Sequence, residues 1–314
     1  MTTFQPGLVH TPVTPFKSDS SVDYDAYAKL IEFHLHHGAD ALAVTMHAGE
    51  SVSLSDAEQR RLIAFAIKQV NGRVPVIAQA SDSGTQIAAD RARFAQDVGA
   101  SAIVATTPYY WSPPPAMVLE HLAMIGAAVR IPYLIYFTPH EMPASRISTG
   151  QVLKLIERLP HFAGVVDASR DWQFMINIIS AASRVRADFQ IMSATDFMVS
   201  SGAIGAKTMF SPLAGVAPKL MRQLYDLCKQ DKFFAARKSQ EAVAALYQVV
   251  KAPGLCGLKG ALTAMGRDCG NVRTPNTLLS AAARHALAAA LNALPALADE
   301  PRGWQYKNYL KTIT

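Results

Sequence analysis

The chain has 314 residues, half of them hydrophobic and 17% charged. That excludes a disordered polar chain and is enough to bury a large core. The net charge of +6 does not make a nucleic-acid binder. Its cations, among them Arg60, Arg61, Lys68, Arg91, Lys154 and Arg237, are scattered rather than gathered on one element beside aromatic readers. Cys228, Cys256 and Cys269 are too few for a disulfide framework and lack metal-ligand spacing, so three reduced thiols in a cytoplasmic protein are expected. No apolar run approaches bilayer-spanning length and the first residues carry no signal-peptide pattern, so no membrane association is expected.

Taken in chain order, short apolar, β-branched runs alternate with helix-period stretches. The runs cover residues 8–16, 41–45, 74–80, 102–108, 133–139, 163–169, 190–196 and 205–210. Between them, residues 24–37 place Tyr27, Leu30, Ile31 and His34 on one face and stop at Gly38, a C-terminal cap. Ser55 and Glu58 form a capping box that opens the next helix. Helices follow at 87–98, 115–129, 148–159 and 171–185, with shorter ones near 195–201 and 218–228. Eight strand-then-helix units with near-continuous apolar strands predict a parallel sheet covered by helices, closed as a (β/α)8 TIM barrel over residues 1–232. A doubly wound sheet is the rival, but no glycine-rich phosphate fingerprint follows the first strand. Residues 233–250, 257–265 and 277–294 read as three further helices. They make residues 233–314 a C-terminal helical extension of the same domain, because no Pro/Gly/Ser-rich linker precedes them.

In such a barrel the chemistry sits at the C-terminal strand ends. Strand two leads into Thr45-Met46-His47-Ala48-Gly49-Glu50. A turn there can aim backbone N–H groups at an anion, and His47 can move a proton. Strand four leads into Pro108-Tyr109-Tyr110-Trp111, where a phenol is available or merely packs under a rigid proline loop. Strand five carries Tyr136, strand six Val166 and Asp167, and strand seven ends at Thr195-Asp196. Lys207 is the one lysine inside the eight predicted strands, either in a structural ion pair or as a functional amine. His34, His36 and His37 share a helix without a common face or a completing carboxylate. His47 with Glu50 is therefore the only nucleus for a metal site, and neither metal nor cofactor is expected.

These residues resemble the dihydrodipicolinate synthase / N-acetylneuraminate lyase family over about residues 7–295. Val13-Thr14-Pro15-Phe16 is similar to its first-strand VTPF. Gly49-Glu50-Ser51 with Leu54, Ser55 and Glu58 is similar to the region after its GTTGE loop, and Pro108-Tyr109-Tyr110 to its PPYY. Tyr136 and Pro139 match YNxP, Gly164, Ala168 and Ser169 match GxKxAS, and Val216-Ala217-Pro218 and Lys259 fit later markers. The resemblance implies a barrel with C-terminal helices, assembled as a homodimer or homotetramer. It also implies lyase chemistry on a small oxo acid, with a strand-six lysine forming a Schiff base, a strand-five tyrosine shuttling protons, and in some members a PPYY tyrosine completing a neighbour's site.

The departures fall on that chemistry. The Schiff-base lysine falls on Val166, the GTTGE threonines on His47 and Ala48, the YNxP asparagine on Phe137, and an arginine some synthases use on Glu141. Valine forms no iminium, so dihydrodipicolinate synthesis itself is not expected. Three readings stay open. The first is a lyase or hydratase with non-standard chemistry acting on a small oxo-acid-like or oxygenated metabolite. Its catalytic candidates are Tyr136, His47 and Tyr110, with Asp167 or Glu50 orienting them, and its binding candidates are Ala48, Gly49, Glu50, Glu141, Val166 and Thr195. The second is a Schiff-base aldolase using a relocated Lys207. The third is a non-catalytic ligand-binding or scaffolding protein.

Overall fold

The computed structural model describes residues 4–140, 146–251 and 253–304. Eight parallel strands close a barrel in sequence order: β1 Leu8–His10, β2 Ala41–Val44, β3 Val76–Gln79, β4 Ala102–Thr106, β5 Tyr133–Phe137, β6 Phe162–Asp167, β7 Gln190–Ser193 and β8 Met209–Ser211. Closure comes from β1 pairing with both β2 and β8. Side chains alternate along each strand. One set, including Val9, Ala43, Val104, Leu134, Val166, Met192 and Phe210, fills the lumen. The other, including Leu42, Val44, Ile103, Tyr133, Ile135 and Val165, packs outward under the helices. Burial on both faces is why the strands read as continuous apolar runs.

The surrounding helices are α1 Tyr24–His36, α2 Asp56–Val70, α3 Thr85–Asp97, α4 Pro115–Ala127, α5 Thr149–Arg158, α6 Trp172–Ser183, α7 Met198–Ala203 and α8 Pro218–Lys229. Their starts are set by local chemistry. Asp23 caps α1 by accepting from the Ala26 N–H, and Ser55 and Ser148 form full capping boxes with Glu58 and Gln151. Gly38, at φ +86°, lets the chain leave α1 in a left-handed turn. Among the described residues no helix is long and apolar enough to cross a membrane.

After α8 come α9 Phe233–Lys251, α10 Leu255–Ala264 and α11 Ala281–Asn292. Their apolar faces join Leu8, Met209 and α8 in one cluster. A fully buried Arg267 ties the last described turn to the barrel. It donates to Gly215 O, Val216 O and Pro301 O at 3.1, 3.0 and 2.8 Å, with its guanidinium 4.2 Å from the Phe33 ring centroid.

The strands are shorter than the apolar runs that announce them. The ladder of β1 stops at His10 although the run continues to residue 16, because Pro12 and Pro15 have no N–H to donate. The run at 205–210 contains a strand only from Met209, so Lys207 is not a strand residue. It is exposed, and with Gly7, Asp40 and Pro75 it lines a cleft of about 470 Å³ at the N-terminal strand ends. Helix α7 likewise begins at Met198 rather than 195, and α11 at Ala281 rather than 277.

Candidate active site

At the C-terminal end of the barrel, Tyr136 on β5 is the register partner of Thr106 on β4 and of Val166 on β6. Val166 pairs in turn with Met192 on β7. Tyr136 is half-buried against the lumen cluster. Val166 is 0% exposed and belongs to that same apolar cluster. The strand-six position thus sits beside the tyrosine and carries two methyl groups.

The turn after β2 is a single 3-10 turn, His47–Gly49, entered through Thr45 and left through Glu50, both at φ 55°. Non-glycine residues in that region are uncommon and hold only where the surroundings over-determine them. Here the surroundings do. The Thr14 hydroxyl donates to Gly49 O at 2.7 Å, and a Cβ on Gly49 would lie 3.2 Å from that hydroxyl oxygen. The N–H groups of Gly49 and Glu50 donate to Met46 O and His47 O. Those of His47 and Ala48 therefore remain as the donors with no acceptor inside the turn. The His47 side chain is exposed at the rim, while Ala48 is buried.

Glu50 is 1% exposed. Its Oε1 lies 2.7 Å from Lys259 Nζ, and its Oε2 accepts from the Arg273 N–H at 2.9 Å. Lys259 also donates to Asn271 O at 2.6 Å and sits 4.2 Å from the Phe16 ring centroid. The Arg273 guanidinium lies 4.3 Å from the same centroid and holds both carboxylate oxygens of Glu58 at 2.8 and 2.6 Å. Burial pulls Lys259 below its usual range, against the opposing pull of Glu50. The hydrogen bonds from Arg273 hold Glu58 down at about 2, partial burial opposing. Gly270, at φ +68°, completes this brace. A Cβ there would meet Phe16 O at 1.8 Å, so only glycine lets the strands of chain touch. The two oxygens of Glu50 are thus engaged by Lys259 and Arg273 and hold the turn that presents His47, an orienting rather than a ligand-facing placement.

Two buried acids lie at the ends of β6 and β7. Asp167 accepts from the Ser169 N–H and Oγ at 2.9 and 2.7 Å on Oδ1, an Asx turn readable from the D-x-S spacing. Its other oxygen is buried without a partner. Burial raises its carboxyl to about 6. Asp196, left-handed at φ 59°, is raised by burial to about 7. The weight of Asp196 was missed in the sequence, because nothing local marks it as buried.

The remaining candidates separate. Thr195 is half-buried beside Asp196. Tyr110 is 92% exposed, with Trp111 also exposed on the same loop, so it forms outer surface in the isolated chain rather than part of the mouth. Lys207 is at the opposite end of the barrel, which removes it as a replacement amine. Glu141 lies outside the described residues. Among the described residues no group of three or more His, Cys, Asp or Glu is placed to hold a metal ion. His34 instead pairs with His10, Nδ1 to Nδ1 at 3.0 Å, and burial lowers both.

The comparisons with known proteins agree with this architecture. The chain is 29% identical over 286 residues to a 4-hydroxy-tetrahydrodipicolinate synthase of Bacillus subtilis, covering 90% of this chain and 97% of that one. It is 33% identical to the enzyme of the same name from Saccharophagus degradans, covering 86% and 91%. Its fold superposes on the chloride-inhibited dihydrodipicolinate synthase of Acinetobacter baumannii, solved with pyruvate, with a TM-score of 0.84 at 28% identity, covering 91% and 97%. The model of the dihydrodipicolinate synthetase family matches residues 5–294, and the chain belongs to that family.

Proposed function

We propose that this protein is a lyase that works on a small oxygenated, oxo-acid-like metabolite by proton transfer, without an imine. The observation that carries the reading is the wall at Val166. The position beside Tyr136 holds no nitrogen, and the two lysines singled out in the sequence lie elsewhere, Lys259 in the Glu50 brace and Lys207 at the far end. What remains at the mouth is a phenol on β5, an imidazole at the rim and the first N–H groups of the 3-10 turn. Those groups suit acid–base chemistry. The Tyr136 hydroxyl hydrogen-bonds a substrate oxygen and passes a proton. His47 accepts or returns it, and the His47 and Ala48 N–H groups, with the Thr195 hydroxyl, hold the polar end. Elimination of water or cleavage of a carbon–carbon bond beside a carbonyl needs only these roles.

The surface around exposed Tyr110 and Trp111 favours pairing of chains into a homodimer or homotetramer. A ligand-binding protein without turnover is the second reading, favoured by the apolar side chains clustered with Val166.

The test is a screen of 2-oxo, 2-hydroxy and enoyl acids followed by proton NMR, with the mass of the particle read by sedimentation. The expected result is turnover that falls about 100-fold or more in Tyr136→Phe and in His47→Ala. Full turnover in His47→Ala contradicts the assignment. Ligands that bind and are never turned over establish the second reading, and a monomer contradicts the pairing.

A further inference from the structure

The N-terminal end of the barrel holds a second cavity, about 240 Å³ in volume, between the starts of β5, β6 and β7. Its lining joins two kinds of group. Phe4 and Phe189 supply aromatic surface, the Phe189 ring resting 5.1 Å from that of the fully buried Phe162 and nearly edge to face with it. Arg130 and Arg186 supply positive charge. Arg186 follows α6 and reaches back to the end of α5, donating from its terminal nitrogens to Pro160 O, Leu159 O and Ile156 O. Its Nε is buried and has no partner. Among the described residues neither arginine forms an ion pair, and the exposed Asp188 at the rim is within reach of Arg186 only as a distant charge.

Two guanidinium groups beside one cleft, neither of them in an ion pair among the described residues, give it positive potential that favours an anion. A carboxylate meets a guanidinium edge with charge-assisted hydrogen bonds. The aromatic wall sets what the anion is attached to, since flat rings pack edge-to-face or offset on such walls. The volume lies below the roughly 300 Å³ at which sites for drug-sized ligands begin, so it admits one ring rather than two. We infer that this cavity is a second ligand site, separate from the barrel mouth, that takes a small single-ring aromatic carboxylate with its ring on Phe4 and Phe189 and its carboxylate on Arg186 and Arg130.

Calorimetric titration of the full chain at low salt with benzoate tests it. Benzamide, the neutral isostere, and acetate, the anion without a ring, serve as controls. Benzoate is expected to bind with a Kd of about 0.1–1 mM, ordinary for a ligand of its size. Benzamide and acetate should each bind about tenfold weaker or not at all. Arg186→Gln should abolish binding. Arg130→Gln, at an exposed position that leaves the fold alone, should weaken it about threefold to tenfold. Absence of benzoate binding, equal binding of acetate, or undiminished binding by Arg130→Gln and folded Arg186→Gln would each overturn the site. So would loss of benzoate binding in Tyr136→Phe, which would place the ligand at the mouth.

Discussion

The brace around Glu50 and the wall around Val166 lie at the same end of one barrel and treat buried charge in opposite ways. In the brace, Lys259 is buried but answered: a carboxylate at 2.7 Å, a carbonyl at 2.6 Å and an aromatic face at 4.2 Å. At the wall, Val166 belongs to an apolar cluster with Leu134, Met192, Val104 and Phe210. A buried ammonium is tolerated only where its desolvation is offset by such partners. The brace holds the turn that presents His47, while the strand-six position beside Tyr136 carries an alkyl side chain packed among others.

The largest effect is expected in the brace. Lys259→Met leaves the Glu50 carboxylate buried without its cation, and a loss of about 3–5 kcal/mol is predicted in chemical denaturation. A loss under about 1 kcal/mol would show that the brace does not depend on the pair. The converse experiment puts a lysine into the wall. Val166→Lys buries an amine among apolar side chains, which depresses its pKa in the folded state. Such a group loses stability as pH falls below the unfolded lysine value, so the variant should be about 3 kcal/mol less stable than the parent at pH 7 and nearer to it at pH 10. A loss that does not depend on pH would mean that the amine escapes to solvent.

A smaller effect belongs to Asp196. Its carboxyl is raised to about 7 by burial. The folded state therefore keeps a proton that the unfolded chain releases near pH 4, and the group costs stability as pH rises from about 4 to 7. Asp196→Asn should stabilise the protein by about 2 kcal/mol at pH 8 and by little at pH 4, read from denaturation midpoints at the two pH values. The His10–His34 pair tilts the profile the other way. Both imidazoles are held below their usual range by burial, so stability is full above about 6.5 and is lost as pH falls through the lowered values, about 3 for His34. Equal effects of Asp196→Asn at both pH values would contradict the buried-acid account.

The eight units and the helix starts were legible in the sequence because their signals are local. The capping boxes at Ser55 and Ser148 and the stop at Gly38 need only neighbouring residues. Strand ends were less legible, since an apolar run does not reveal where the hydrogen-bond ladder begins. Lys207 was placed in strand eight because apolar residues flank it, and the ladder starts two residues later. The juxtaposition of Tyr136 and Val166 was legible through the family resemblance, which carries register across strands that the residues alone do not. The task of Glu50 was not. Its partners Lys259 and Arg273 come from helices and loops at the far end of the chain, and no local pattern announces a buried ion pair.

The central claim, chemistry without an imine, is tested most directly by borohydride trapping. The unaltered protein is incubated with pyruvate and a panel of other 2-oxo acids, reduced with borohydride and weighed intact. With valine at position 166 beside Tyr136, no iminium is expected, and an unchanged mass is predicted for every acid. A stoichiometric mass increase on any lysine would contradict the account.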